Sequence, residues 1–282
     1  MNLRVQVEIH NDEKCMSSQS GLQRFKSIML NQYVEFAAAV RFLSLLPVPG
    51  STQLFNKDES VPHIVVGCEY FPVVGMLLAF LLWLFTFILT QLVPHLVLAA
   101  LLVAALVILT GGLHLDGLMD TSDGLFGGST RERKLEIMHD SRVGSFGVLA
   151  GICILLLKFA LFASLNVSVL PLALLIALPS ARWAMVVVLR VFPSARATGL
   201  GAVFHQAVTT KRLLITGIIS LLIVLIAGQL FGLIIWVVAT VTSLFLGFWM
   251  TRSLGGLTGD TYGAIEEVTE GVALLVLVML KV

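Results

Sequence analysis

Charged residues are scarce in this sequence. Asp, Glu, Lys and Arg together make up only 12% of its 282 residues, whereas hydrophobic residues make up 57%. Because an ordinary soluble domain carries about 25% charged residues, the composition excludes a typical water-soluble enzyme and predicts a protein of the lipid bilayer. The formal net charge is +1, so no broad basic surface is present and nucleic acid is not an expected partner.

Cysteine is scarce as well. Cys15, Cys68 and Cys153 lie far apart in the chain without a CxxC pair, which argues against a disulfide framework and against a zinc knuckle. Residues 1–27 lack the apolar core of a secretory signal peptide. We expect residues 1–27 to form a polar, poorly ordered tail and residues 28–282 to form a single transmembrane domain.

Three long stretches contain almost no charge. Residues 71–115 and 213–251 have no Asp, Glu, Lys or Arg, and residues 143–181 have only Lys158. A helix needs about 20 apolar residues to cross the hydrocarbon core, so each stretch is long enough for two spans. Turn-forming residues near the three midpoints predict helical hairpins, and they are Pro94, Asn166, Ser168, Pro171, Gly228 and Gly232.

The polar connections between these hairpins carry most of the positive charge. By the positive-inside rule, this end of the bundle is expected to face the cytoplasm. Two further apolar segments, Tyr33 to Leu46 and Gly271 to Leu280, are less regular, and we expect them to be interfacial, re-entrant or partial helices. The fold class is therefore all-α, a polytopic integral membrane helix bundle of about six to eight transmembrane or re-entrant helices, in the cell inner membrane.

An aspartate-rich block follows the second predicted span. Asp116, Asp120 and Asp123 are spaced i, i+4 and i+7, which on a helix places them within an arc of about 60°. Three carboxylates so close together repel one another, and a divalent cation such as Mg²⁺ relieves that repulsion. The block therefore indicates either a metal site that binds a diphosphate at the membrane surface or an exposed acidic helix end.

Cationic residues near the ends of the spans are candidates for binding the substrate. Arg142, with Ser141 beside it, precedes the third span, and Arg196 lies in a glycine-containing loop. Guanidinium groups bind phosphate oxygens well, although basic residues in such loops also serve as topology signals. Arg182 lies deeper within a predicted span, where it needs a partner, either a substrate anion or an aspartate. Glu69 opens the first span, either as a partner of the helix dipole or as a further metal ligand.

Five blocks of sequence, in this order, resemble one known family. They are RFLSLLPVP (41–49), EYFPVVG (69–75), GGLHLDGLMDTSDG (111–124), IMHDSRVGSFG (137–147) and LGGLTGD (254–260). The family is that of the cobalamin synthases, or adenosylcobinamide-GDP ribazoletransferases, which join the lower nucleotide loop of vitamin B12. The resemblance runs from about Phe42 to Gly271 and leaves out the N-terminal tail.

The resemblance implies a Mg²⁺-dependent transfer between adenosylcobinamide-GDP and α-ribazole or its 5′-phosphate, with release of GMP. The partners would be these two substrates, the bilayer and other enzymes of nucleotide-loop assembly, and the oligomeric state stays open. The implied roles fall into three groups. Metal ligands would be Asp116, Asp120 and Glu69. Catalytic residues would be Asp123, Asp260 and His205, although His205 has a merely structural loop histidine as its alternative interpretation. Substrate-binding residues would be Ser141, Arg142, Arg182 and Arg196.

Two other function classes have to be compared with this one. CDP-alcohol phosphotransferases and membrane prenyltransferases also place aspartates above an apolar cavity, but their motifs are spaced differently from the single compact DGxxDxxDG block found here. A transporter would explain three similar hairpins and an intramembrane arginine. Transporters, however, hold their ionisable residues near the bilayer midplane, whereas here most of them gather at one surface.

Overall fold

The computed structural model describes residues 21–49 and 67–281, and within these ranges the chain is helical, with no named β-strand. A short 3₁₀ helix, Cys68–Tyr70, leads into the second of the α-helices. The α-helices are α1 (Gly21–Leu43), α2 (Phe71–Leu89), α3 (His95–Thr110), α4 (Leu113–Gly127), α5 (Arg131–Ile137), α6 (Ser145–Ser164), α7 (Leu170–Val191), α8 (Leu200–Ala207), α9 (Thr210–Leu254) and α10 (Gly259–Met279). The predicted all-α class is confirmed.

Two of the predicted hairpins turn where the sequence indicates. The helix α2 ends at Leu89, and Pro94 caps the start of α3 with its fixed backbone angle. The helix α6 ends at Ser164, and α7 begins at Leu170, so that Asn166 and Ser168 lie in the turn. Both hairpins are therefore confirmed.

The third hairpin lies within α9, which reverses direction at Gln229. This residue has the non-helical angles φ 47° and ψ −122°. The Trp183 indole donates to Thr240 Oγ1 at 2.9 Å, and a Cβ atom placed on Gly217 would lie 3.1 Å from the same indole ring. In a straight helix residues 217 and 240 would be about 34 Å apart. The chain must therefore fold back on itself, as the turn signals at Gly228 and Gly232 predict.

Among the described residues, four helices are long and apolar enough to span a bilayer, and the bent pair α3 and α4 adds a fifth candidate. Because α9 folds back at Gln229, it supplies two crossings instead of one. Among the residues that the structure describes, the apolar helices thus provide up to six crossing segments, within the predicted range of six to eight, and the buried helix α10 runs beside them through the bundle.

The last helix differs from the expectation. Instead of a partial helix over 271–280, α10 runs without a break through Gly259–Met279 and is buried along most of its length. It packs against α4, α6, α7 and α9, and together with the buried α7 it forms the interior of the bundle. The other crossing helices expose large apolar side chains such as Phe87, Ile226 and Phe245, a surface that suits contact with lipid.

The N-terminal part is described from residue 21. The helix α1 begins at Gly21, inside the segment assigned to the polar tail, and continues to Leu43. Residues 1–20, with Cys15, lie outside the described residues. Cys68 is buried and Cys153 exposed, and neither forms a disulfide.

The polar connections meet at one end of the bundle. Arg131 Nε donates to the Leu254 carbonyl oxygen at 2.8 Å, and Arg196 donates to the Leu135 carbonyl oxygen at 3.2 Å. The Leu257 amide also donates to the Pro193 carbonyl oxygen at 2.8 Å. We call this region, which comprises α4, α5, α8 and the loops 128–130, 138–144, 192–199 and 255–258, the polar end.

Candidate active site

The aspartate block lies on a helix that turns sharply away from the helix before it. Gly111 and Gly112 both adopt left-handed backbone angles, with φ 64° and 67°, which only glycine adopts without strain. These two residues bend the chain by 89° between α3 and α4. The helix α4 therefore runs along the polar end instead of crossing the membrane, and it carries all three aspartates.

A fourth carboxylate, that of Asp260, joins the block from the start of α10. The two helices touch so closely that a Cβ atom on Gly117 would lie 2.6 Å from the Asp260 carbonyl oxygen. Asp120 is half-buried. Its partial removal from water, reinforced by the charges of Asp116, Asp260 and Asp123, raises its pKa to about 6. The negative charges of these carboxylates are therefore not fully balanced by positive charges of neighbouring side chains.

Asp123 has a different environment from the other two aspartates of α4. Its side chain is buried and accepts hydrogen bonds from the backbone amides of Gly144 at 2.7 Å and Gly147 at 2.8 Å. These amides belong to the first turn of α6, where backbone donors lack partners within the helix. The carboxylate thus fastens α4 to the start of α6.

Asp116 and Asp120 have no hydrogen-bond or ion-pair partner among the residues that the structure describes. Within the same ranges, no group of three His, Cys, Asp or Glu side chains is close enough to hold a metal ion by itself. Mg²⁺ needs less, since it is often held by one or two carboxylates together with water and substrate phosphates. The two free carboxylates therefore fit a Mg²⁺ ion that binds together with an anionic substrate.

An open cleft of about 1080 Å³ lies beside α4 at the polar end, and we call it the cationic cleft. The name refers to the guanidinium groups of Arg133, Arg142 and Arg196, but the cleft is also lined by the carboxylates of Asp123, Glu132, Glu136 and Asp140. Arg133 pairs with Glu136 and Arg142 with Asp140, so among the described residues Arg196 is the arginine of this cleft that forms no ion pair. Arg142 is exposed and forms an ion pair with Asp140 at 2.6 Å, and its hydrogen bonds lower the pKa of that carboxyl to about 2. Ser141 lies exposed between these two residues.

Arg196 lies between the cleft and the carboxylates. It lines the cationic cleft and also a smaller cavity that Asp260 lines as well. Its positive charge favours the ionised form of the Asp260 carboxyl group. By contrast, Arg131 and Lys134 donate hydrogen bonds to the end of α9, to the Leu254 carbonyl oxygen and the Ser253 hydroxyl. These two side chains therefore hold α5 against α9.

Three candidates from the sequence lie elsewhere. Glu69 pairs with Arg212 Nε at 3.1 Å and so fastens the 3₁₀ helix to α9. His205 is hydrogen-bonded through Nδ1 to the Leu189 carbonyl oxygen at 2.7 Å, which fits a structural role, but it lies on the helix α8 and not in a loop. Arg182 is 1% exposed and lies inside the bundle.

Arg182 belongs to a buried ionic network whose acidic partners sequence analysis did not identify. Its guanidinium contacts Glu266 at 2.6 Å and Glu270 at 2.5 Å, while Lys158 contacts Glu267 at 2.5 Å and Glu270 at 2.8 Å. The imidazole of His114 on α4 lies 2.9 Å from Glu266. Ionisable groups inside a membrane need partners, and applying this rule to Lys158 and Arg182 together would have pointed to the glutamates of α10.

These features define a class of protein: a polytopic helical membrane enzyme with carboxylates and guanidinium groups collected in a cleft at one end of the bundle. The sequence profile of the family described as cobalamin-5-phosphate synthase matches residues 35–278. The chain therefore belongs to the cobalamin-5-phosphate synthase family, and the resemblance drawn from the five sequence blocks is confirmed.

Curated relatives agree with this assignment. An adenosylcobinamide-GDP ribazoletransferase of Desulfitobacterium hafniense (strain Y51) is 42% identical over 245 residues, covering 84% of this chain and 93% of the relative. Enzymes of the same name from Roseiflexus sp. (strain RS-1) and Citrobacter koseri are each 40% identical, covering 88% and 86% of this chain and 90% and 98% of their own lengths. No solved structure matches the chain.

Proposed function

We propose that this protein is a membrane phosphotransferase of cobalamin biosynthesis, which joins adenosylcobinamide-GDP to α-ribazole or its 5′-phosphate. The products would be adenosylcobalamin or its 5′-phosphate, together with GMP. The observation that carries the proposal is the family match across residues 35–278. The free carboxylates of Asp116 and Asp120 support it, since they lie on the helix α4, whose later residues Asp123 and Gly127 line the cationic cleft, and a diphosphate substrate needs both a dication and guanidinium groups.

In the proposed reaction a ribazole hydroxyl attacks the cobinamide-linked phosphorus of the donor. A new phosphorus–oxygen bond forms, the bond to the GMP oxygen breaks, and the hydroxyl proton passes to a carboxylate. Mg²⁺, held by Asp116 and Asp120, would neutralise the diphosphate and the charge that develops on the leaving group. Arg196 would bind the GMP phosphate from the cleft, with Arg142 as a further contact.

Asp260 is our candidate for the carboxylate that orients the hydroxyl and accepts its proton. The two other candidate bases are already hydrogen-bonded, Asp123 to the amides of Gly144 and Gly147 and His205 to the Leu189 carbonyl oxygen. Asp260 accepts one longer hydrogen bond, from Thr258 Oγ1 at 3.3 Å, and it lines two cavities, the smaller one shared with Arg196 and a second one on the side of Asp116. We therefore assign Asp123 to positioning α4 and leave Glu69 outside the metal site.

We further propose that the polar end faces the cytoplasm and that the membrane is the cell inner membrane. The positively charged residues collected at that end support this orientation.

The experiment that tests the proposed function uses the purified protein in detergent with Mg²⁺ and radiolabelled adenosylcobinamide-GDP. We expect release of GMP that depends on ribazole and needs no sealed compartment. A transporter would release no GMP, and an enzyme of the CDP-alcohol class would require a CDP-linked donor. Either result would contradict the proposal.

Replacing Arg196 with Ala should weaken the use of the corrinoid substrate. The change removes a charge-assisted contact with phosphate, and we expect kcat/KM for adenosylcobinamide-GDP to fall about 10- to 100-fold. Arg252→Ala is the matched control, because Arg252 is exposed at the end of α9 and lines neither the cleft nor the smaller cavity beside it. Equal kcat/KM values for the two variants would remove Arg196 from the site.

Replacing Gly117 with Ala should separate α4 from α10. The new methyl group would lie 2.6 Å from the Asp260 carbonyl oxygen, so the two helices must move apart and the carboxylates with them. Displacing catalytic groups by about 1 Å costs about 100-fold in rate, and we expect a loss of kcat of that order in the folded protein. Gly127→Ala on the same helix is the control, since its Cβ would be 3.7 Å from the nearest neighbour. Similar activity in both variants would contradict the assignment of Asp260.

A further inference from the structure

A second cavity, smaller than the cationic cleft, lies on the other side of Asp260. It has a volume of about 140 Å³, and we call it the aromatic pocket. Its walls contain the rings of Phe42, Phe204 and Tyr262 and the aliphatic side chains of Leu113, Met185 and Leu189. An apolar cavity of about 150 Å³ holds a benzene ring. The aromatic pocket therefore has the size and lining that suit a flat aromatic group.

Two polar side chains belong to the wall of the pocket. Tyr262 and His114 both line it and are 5% and 2% exposed. The Tyr262 hydroxyl and the His114 Nε2 atom are fully buried and have no hydrogen-bond partner within the described ranges, so they lie behind the open space and do not face it. The surface that an occupant meets is therefore formed mainly by the apolar parts of the lining residues.

Gly259 independently supports a ligand in the aromatic pocket. Gly259 is the first residue of α10, where glycine is a poor helix former. Its φ angle is not positive, so the backbone conformation does not require glycine. A Cβ atom placed on it would meet no atom within 4 Å, so crowding does not require glycine either. Gly259 lines both the aromatic pocket and the smaller cavity that joins it to the cationic cleft at Arg196. The missing side chain of Gly259 leaves open the passage between the aromatic pocket and the cationic cleft.

The carboxylates lie where the two spaces meet. Asp116 and Asp260 line the aromatic pocket, whereas the guanidinium groups line the cleft on the opposite side. An acceptor bound in the pocket would therefore approach a diphosphate in the cleft across the carboxylates. This arrangement separates the binding of the two substrates into an apolar and a charged compartment.

We propose that the aromatic pocket is the acceptor subsite and holds one ring of the flat base of ribazole, with the sugar hydroxyls directed toward Asp116 and Asp260. Phe42 and Phe204, whose ring centroids are 4.6 Å apart, supply aromatic surface against the base. This assignment rests on the proposed function and adds to it the place and chemistry of acceptor recognition.

The test is to fill the pocket from Gly259 and to measure KM for each substrate separately. Since no atom lies within 4 Å of an added Cβ and Gly259 is exposed, Gly259→Ala should fold as the wild type, and the melting temperature of Gly259→Leu checks that its longer side chain is also accommodated. One misplaced side-chain group in an apolar pocket changes specificity by 10- to 200-fold, so we expect KM for α-ribazole to rise at least about tenfold. KM for adenosylcobinamide-GDP should stay within about twofold of the wild type, and Gly259→Ala should have a smaller effect in the same direction.

A second readout uses the size of the acceptor base. In Gly259→Leu, the ratio of kcat/KM for an imidazole α-riboside to that for a benzimidazole α-riboside should rise, because the smaller base still fits. Phe204→Leu provides an independent variant, in which loss of the ring should raise the acceptor KM about 2- to 10-fold. A rise in the donor KM instead, or no change in the acceptor KM and the size ratio, would overturn the pocket assignment while leaving the transferase activity in place. Absence of ribazole-dependent GMP release in the wild type would overturn the proposed function itself.

Discussion

Asp116→Asn and Asp120→Asn are each expected to lower transferase activity about 100- to 1,000-fold, the range seen when one preorganised electrostatic contact of an active site is removed. Asn keeps the size of the side chain but removes the negative charge that a dication requires. Both carboxylates lack protein partners within the described residues, so the change breaks no contact of the fold. The measurement is GMP release per folded protein at saturating Mg²⁺ and ribazole.

Glu136→Gln is the matched control for these two variants. Its carboxylate is exposed in the cationic cleft, where it pairs with Arg133 at 2.8 Å, so the same loss of charge occurs beside the donor and outside the proposed metal site. Removing this negative charge should not lower the affinity for an anionic donor, and we expect activity no lower than that of the wild type. If either aspartate variant turned over as fast as Glu136→Gln, that aspartate would have to be removed from the metal site.

Arg182→Met is expected to destabilise the whole bundle. The guanidinium compensates Glu266 and Glu270 inside the protein, and removing one partner of a buried ion pair costs about 3–5 kcal/mol. Proteins are stable by only about 5–15 kcal/mol, so little of the variant should accumulate in membranes. The measurements are the amount of protein in membranes and the melting temperature in detergent.

Two further variants identify the cause of this loss. Arg190→Met makes the same substitution two turns later on α7, where the side chain is exposed and donates only to Thr210 Oγ1 at 3.2 Å, and it should behave as the wild type. Adding Glu270→Gln to Arg182→Met removes one uncompensated charge and should restore part of the stability. An Arg182→Met protein that accumulates and melts as the wild type does would show that the network contributes little to folding.

Much of the membrane topology could be predicted from the sequence, because it depends on local composition. A stretch without charge, interrupted by Pro94 or by Gly228 and Gly232, identifies a hairpin whatever the rest of the chain does. The helical stripe of Asp116, Asp120 and Asp123 is likewise a matter of spacing along one helix. Features that depend on the apolar period and on turn residues are accessible in this way.

The interior of the bundle could not be predicted in the same way, because its contacts join residues far apart in the chain. The glutamates Glu266, Glu267 and Glu270 make α10 resemble a surface segment until Lys158 and Arg182 are known to face them. The position of Asp260 beside Gly117 also depends on how α4 crosses α10. For the same reason, spacing alone cannot distinguish Asp123, which caps α6, from the two aspartates that remain free.

The central claim is that Asp116 and Asp120 hold a dication that binds together with the diphosphate of the donor. The most direct test is calorimetric titration of adenosylcobinamide-GDP into the purified protein, with Mg²⁺ or with EDTA, for the wild type and for the Asp116→Asn/Asp120→Asn double variant. The account predicts tight binding by the wild type only when Mg²⁺ is present, and no enhancement by Mg²⁺ in the double variant. Equal affinity in Mg²⁺ and EDTA for the wild type, or an unchanged Mg²⁺ enhancement in the double variant, would contradict it.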